Sequence, residues 1–161
     1  MKHIGIDPGL TGAIACINAG GAPTVYDMPV SVAGKGVVKR EVNAVWLHQL
    51  LSIITDSESS SVLLERTSAM PGQGVASMFS MGVTRGVILG VLGALQVRYY
   101  EVAPVTWKRH FKLIGADKDR SRTVALQLFP RLAPQLARVK DHNRAEALLI
   151  ARYGREKARL F

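Results

Sequence analysis

At 161 residues, 48% apolar and 20% charged, the chain has enough apolar mass for one sizeable core and too little for two, so a single domain over 1–161 is expected. Its 21 Lys and Arg against 12 Asp and Glu leave a formal charge of +9, which points to a polyanionic partner, nucleic acid or an anionic membrane. One cysteine, Cys16, excludes an intrachain disulfide and a zinc cluster; with no signal-type start and no run of about 18 apolar residues, a cytoplasmic protein without a membrane span is expected.

In chain order, His3 to Asp7 and Thr11 to Ile17 are short apolar runs separated by Pro-Gly-Leu-Thr-Gly, the pattern of a hairpin. A third run, Thr24 to Met28, follows Gly20, Gly21 and Pro23, so three antiparallel strands open the chain. Ser31 to Lys39 lacks a helical period and reads as a loop. Asn43 can cap a helix carrying Val45, Trp46, Leu50, Ile53 and Ile54, which Asp56 to Ser60 ends. Ser61 to Glu65 is a short buried strand. After a loop at Pro71, Gly72 and Gly74 comes a helix of about Val75 to Leu95, rich in small residues that permit close approach of a neighbour.

Val97 to Val102 is the next strand, and Pro104 begins a short helix through His110. A further helix, Asp117 to Phe129, stops at Pro130, and the last, Asp141 to Tyr153, is ended by Gly154. The order gives an α/β domain with a mixed sheet. The basic surplus is concentrated: from Trp107 to Phe161 there are fourteen basic residues against five acidic ones.

Two carboxylates stand where chemistry needs them. Asp7 ends the first strand just before a turn, and Glu65 ends SVLLE, so both are held on rigid elements yet exposed at the sheet edge. Strand-end carboxylates on neighbouring strands can converge, and that suits magnesium, a hard ion that takes oxygen ligands and keeps several waters. In Asp141-His142-Asn143-Arg144-Ala145-Glu146, His142 and Glu146 are four apart on one helix face with Asp141 at its start. Brought near Asp7 and Glu65, they could complete a two-metal site of the kind that hydrolyses phosphodiesters. The plainer alternative is a helix-capping Asp with a solvated Glu.

Ile4-Gly5-Ile6-Asp7-Pro8-Gly9, the Leu64-Glu65 strand end, Arg85-Gly86-Val87, Val102-Ala103-Pro104 followed by Trp107-Lys108, and Glu146-Ala147-Leu148 come in the order of their counterparts in one family. On these landmarks, which cover nearly the whole chain, the sequence resembles the RuvC family of Holliday-junction resolvases, and its loop after Glu65 is similar to that of the shorter phage variants. The resemblance implies a ribonuclease H-like fold with a mixed five-stranded sheet and helices on both faces. It also implies a homodimer, and a metal-dependent endodeoxyribonuclease that resolves four-way or other branched DNA junctions. The ligands it implies are Asp7, Glu65 and Glu146, with Mg2+, or Mn2+ in its place, as two ions per site.

Two positions depart from the family. An acid or His usually stands three residues before the last carboxylate; here that residue is Asn143, which passes the fourth-ligand role to Asp141 or, as the alternative, His142. An aromatic residue usually follows the second carboxylate, but here Arg66-Thr67-Ser68-Ala69-Met70 follows, leaving Met70 as an apolar wedge. Lys108, Arg109, Lys112, Lys118, Arg120 and Arg122 are the expected phosphate contacts. Two other functions compete: a junction-binding protein without catalysis, and an actin- or sugar-kinase-like phosphotransferase, which needs two such domains around a nucleotide.

Overall fold

A computed structural model describes residues 1–32, 40–55, 59–68 and 72–160, with Lys118 and Leu160 described by their backbone alone. Strands β1 (Lys2–Asp7), β2 (Ala13–Ile17) and β3 (Pro23–Asp27) form an antiparallel meander. A two-residue ribbon follows, β4 (Val30–Ser31) with β5 (Glu41–Val42). Then come α1 (Ala44–Thr55), β6 (Ser60–Glu65), α2 (Val75–Ala94), β7 (Tyr99–Val102), α3 (Pro104–His110), α4 (Lys118–Leu128) and α5 (His142–Glu156). Short 3₁₀ turns at Pro130–Leu136 and Val139–Asp141 bridge α4 to α5. The five-stranded sheet has the order β3-β2-β1-β6-β7, with β1, β6 and β7 parallel to one another.

Alternation along the strands sends successive side chains to opposite faces and so builds two cores. Ile4, Ile6, Val62 and Leu64 face α1 and α2, where Leu47, Leu51, Ile88 and Leu92 cover them. Ala13, Ala15, Leu63 and Val102 face the other layer, with Trp107 of α3, Ala125 of α4 and Leu148 of α5. Helices thus lie on both faces of a mixed sheet, as expected. Gly5 belongs to the second face, and a Cβ there would collide with the backbone of Ala147 and Ala151, so this glycine lets α5 lie directly on β1.

Several boundaries differ from the sequence reading. Gly154 does not stop the last helix, which runs on to Glu156. It is buried, with the place of its Cβ 3.6 Å from Leu63, so here glycine serves close packing rather than termination. The strand expected from Val97 begins at Tyr99, because Gln96 takes a positive φ of 53° in the turn before it. Ser31 lies in β4 instead of a loop, while residues 33–39 of that expected loop fall outside the described residues. One helix, α2, is after all long and apolar enough to cross a membrane, at 20 residues and a mean hydropathy of 1.6. Its Arg85, however, pairs with Glu101 of β7 at 2.6 Å, and Ile88 and Leu92 are fully buried on the sheet.

Candidate active site

The register of β1 on β6 sets Ile6 opposite Leu64, so Asp7 and Glu65, one residue further on, end two adjacent parallel strands side by side. By alternation, Asp7 shares a face with Gly5 and Glu65 with Leu63, which is the face that α5 covers. There α5 brings up Glu146, on the turn of helix just before Ala147 meets β1. The turn after Asp7 is tight: Gly12 N–H donates to Gly9 O at 3.1 Å, Gly9 has a φ of 146°, and a Cβ on Gly12 would strike the Asp7 carbonyl.

The three carboxylates act on one another. Burial holds the Asp7 carboxyl well above the usual carboxylate range, and the charges of Glu65 and Glu146 push it further the same way, with Lys108 opposing. Glu65 is also raised, first by burial, against the lowering effect of its bond to Trp107 and of Lys108. Trp107 Nε1 donates to Glu65 Oε2 at 2.6 Å. Glu146 Oε1 accepts from Ser121 Oγ at 3.2 Å and lies 3.3 Å from Lys108 Nζ. Among the described residues, the Asp7 carboxylate accepts no hydrogen bond.

An all-oxygen set of three carboxylates, with Asp7 and Glu65 held above their ordinary pKa, fits a hard divalent cation such as Mg2+ or Mn2+ and does not fit a zinc cluster. Among the described residues, no three His, Cys, Asp or Glu side chains stand close enough together to enclose an ion as they are. Lys108 supplies the nearest positive charge in their place.

The expected fourth ligand, Asp141, is elsewhere. It belongs to the 3₁₀ turn that precedes α5, only 3% exposed, where its carboxylate accepts from Arg138 Nη2 at 2.8 Å, from Arg138 Nε, and from the Arg138 backbone N–H at 2.9 Å. The charges that act with it are Arg138, Arg144, Arg122 and Asp27, not Asp7 or Glu65. Arg138 thus occupies both oxygens of this carboxylate, and the structure does not bring Asp141 together with Asp7 and Glu65 as expected. His142 lies beside it, with Nδ1 3.2 Å from Val139 O. Asn143 is the residue tied to the Asp7 turn, its Nδ2 donating to Thr11 O at 2.6 Å.

Of the expected phosphate contacts, Arg109, Lys112 and Arg120 are exposed on α3, the turn after it, and α4. Lys108 lies among the carboxylates instead of on the outer surface. Arg122 differs from these: its guanidinium is paired with Asp119, at 2.7 and 3.0 Å, and donates to Leu136 O at 3.1 Å. Lys118 opens α4, and Met70 lies outside the described residues. A groove of about 950 Å³ that the sequence did not reveal runs beside Thr11 and Asn143; Arg40 and Lys140 stand in its walls, with Arg138 and Arg144 paired there to Asp141 and Asp27. Two buried partners of the carboxylates were also missed. Ser121 carries no sequence signal that points to Glu146, and Trp107 stands in the sequence only as a landmark of the resemblance.

No family model matches the chain. A curated relative, the chloroplastic Holliday junction resolvase MOC1 of Chlamydomonas reinhardtii, is 31% identical over 146 residues. That match covers 79% of this chain but 17% of the relative, so the chain spans about one sixth of that protein's length. Two solved structures share the fold. Thermus thermophilus RuvC is 20% identical with a TM-score of 0.55, covering 98% of this chain and 97% of that one. T. thermophilus RuvC in complex with a Holliday junction substrate is 18% identical with a TM-score of 0.66, covering 99% and 96%.

Proposed function

We propose that this chain, which has the fold of RuvC and is similar in sequence to a Holliday junction resolvase, is a metal-dependent DNA endonuclease that resolves four-way junctions by phosphodiester hydrolysis. The observation that carries the proposal is the convergence of Asp7, Glu65 and Glu146 at the ends of β1 and β6 under α5, with Asp7 and Glu65 held above their ordinary pKa. Asp7, Glu65 and Glu146 would hold Mg2+, or Mn2+ in its place, as two ions, and Asn143 would offer a neutral amide oxygen at the fourth position. The bound ions would supply the charge that activates water and steadies the attacking and leaving oxygens.

The chain's own groups divide the remaining work. Lys108, inside the site, is placed to meet a phosphate oxygen once Glu146 turns to a cation. Arg109, Lys112 and Arg120 on one side and Arg40 and Lys140 of the groove on the other offer charge to the flanking backbone, a mode of binding that follows shape more than base sequence.

Paired cuts in a four-way junction call for two sites, and the outer face of α2 supports a homodimer. Val75, Phe79 and Val83 are exposed there, and Gly82, Gly86, Gly90 and Gly93 have open space where a Cβ would stand. A small-residue helix face with exposed large apolar neighbours suits close approach of a second copy. Wherever the protein acts, the compartment must hold DNA; the relative named above is chloroplastic.

The test is a synthetic four-way junction incubated with the purified chain and Mg2+ or EDTA, alongside light scattering for mass. Symmetric paired nicks with Mg2+ and a dimer mass are expected. Junction binding with no cleavage in either metal would favour the non-catalytic reading, and nucleotide hydrolysis without DNA cleavage would favour the phosphotransferase.

A further inference from the structure

Trp107 is the largest side chain in the molecule with no exposed surface. Its indole N–H is a donor that must be satisfied where water cannot reach it. The group that satisfies it is Glu65 Oε2 at 2.6 Å, a short bond of the charge-assisted kind. The next residue, Lys108, lies 3.3 Å from Glu146 Oε1 and 5.1 Å from the centre of the Trp107 ring. One turn of α3 therefore touches carboxylates delivered by two different elements, β6 and α5.

We propose that Trp107 is a positioning residue for the metal centre: its buried N–H fixes one oxygen of Glu65 and so aims the other at the cation site. The inference rests on the metal-centre reading above and adds the group that orients its second ligand. An indole suits this task. It has no lone pair to compete for the ion, and it is neutral, so it holds the carboxylate without cancelling the charge a cation needs. Glu65 has three rotatable bonds and stands at a strand end, so an unanchored carboxylate would lose rotamer freedom each time it bound an ion. The ring is held by the core around it, with Leu113, Phe129 and Leu148 in the same cluster, so the N–H has a fixed origin. Groups that hold a metal's ligands from behind commonly set its affinity by 10- to 100-fold.

The test is calorimetric titration of the full chain with Mn2+, comparing wild type with Trp107→Phe, which keeps an aromatic ring and removes the N–H. Phe129→Leu, in the same core but away from the carboxylates, measures what loss of packing alone does. Trp107→Phe should weaken Mn2+ binding about 10- to 100-fold. It should leave junction affinity in EDTA within about twofold. Affinity within twofold of wild type, or a loss no larger than that of Phe129→Leu, overturns the proposal. A second readout covers the case in which Trp107→Phe does not fold. In Trp46→Phe, Trp107 is the sole tryptophan, and its emission should change on Mg2+ binding and stop responding when Glu65→Gln is added. An emission that ignores Mg2+ while calorimetry shows the ion bound overturns the proposal. A wild type that binds no Mn2+, or Glu65→Gln that binds it equally well, brings down the metal-centre reading itself, and the positioning role with it.

Discussion

Asp141 and Asp7 are both nearly buried carboxylates, 3% and 9% exposed, and the fold treats them in opposite ways. Asp141 is filled by the guanidinium and backbone N–H of Arg138, which holds it below the usual carboxylate range; Asp27, gripped by Arg144 at 2.6 Å, is lowered likewise. Asp7 has other acids for neighbours and is held above that range. Proximity to a helix start or a loop does not separate the two. The difference is whether the protein itself completes the acid's hydrogen bonds and charge, and an acid left incomplete at cost to stability is one that the structure keeps for something else.

The sharpest way to break this comparison is to neutralise the incomplete acids. Asp7→Asn and Glu65→Gln should each lower metal-dependent junction cleavage by on the order of 10³-fold. Junction binding in EDTA should persist, since neither touches the basic surface. Cleavage near the wild-type rate in a purified variant, followed on a labelled junction, would remove that residue from the site.

Asp141→Asn should do the reverse. Losing a buried carboxylate partner of Arg138 should cost about 1–2 kcal/mol, read as a fall of roughly 2–8 °C in melting temperature. Cleavage per folded molecule should be kept. Loss of cleavage without loss of stability would return Asp141 to the metal site.

Acid titration sharpens the same contrast through its sign. Asp27 and Asp141 have lowered folded values, so their stabilisation is present above the ordinary carboxylate range and is lost as pH falls through it, below about pH 4. Asp7 and Glu65 are raised, so metal-free stability should increase as pH falls from neutral through their folded values. Melting curves in EDTA should lose the mild-acid rise in Asp7→Asn and show a shallower acid fall in Asp141→Asn.

The smallest expected effect lies on the DNA side. Arg120→Ala should reduce the slope of log affinity against log salt by about 1, whereas Arg122→Ala, already committed to Asp119, should change it little. Equal changes would place both on the DNA.

Most of the fold could be read from the sequence because its signals were local. The His3–Asp7 and Ser61–Glu65 runs, bounded by turns, gave two strand ends with their acids in place. What could not be read depended on packing between distant residues. The Val30–Ser31 and Glu41–Val42 ribbon is too short to show a period. Gly154 reads as a stop because nothing local shows that Leu63 lies against it. The pairing of Asp141 with Arg138 could not be read either, because Asp141 belongs to a 3₁₀ turn before α5 and a position at a helix start does not show which cation fills its carboxylate. The pairing of Trp107 with Glu65, 42 residues apart, leaves no trace in spacing at all.

If the fold leaves Asp7 and its neighbours incomplete for a cation, paired melting curves of wild type and Asp7→Asn, in EDTA and in Mn2+, will show it. In EDTA, Asp7→Asn should melt higher, by the equivalent of about 0.5–2 kcal/mol, because a repelled, buried charge is gone. At Mn2+ near 100 times its dissociation constant, wild type should gain about 2.7 kcal/mol and overtake the variant, which should gain far less. An Asp7→Asn that is no more stable in EDTA and rises with Mn2+ as far as wild type would contradict the claim.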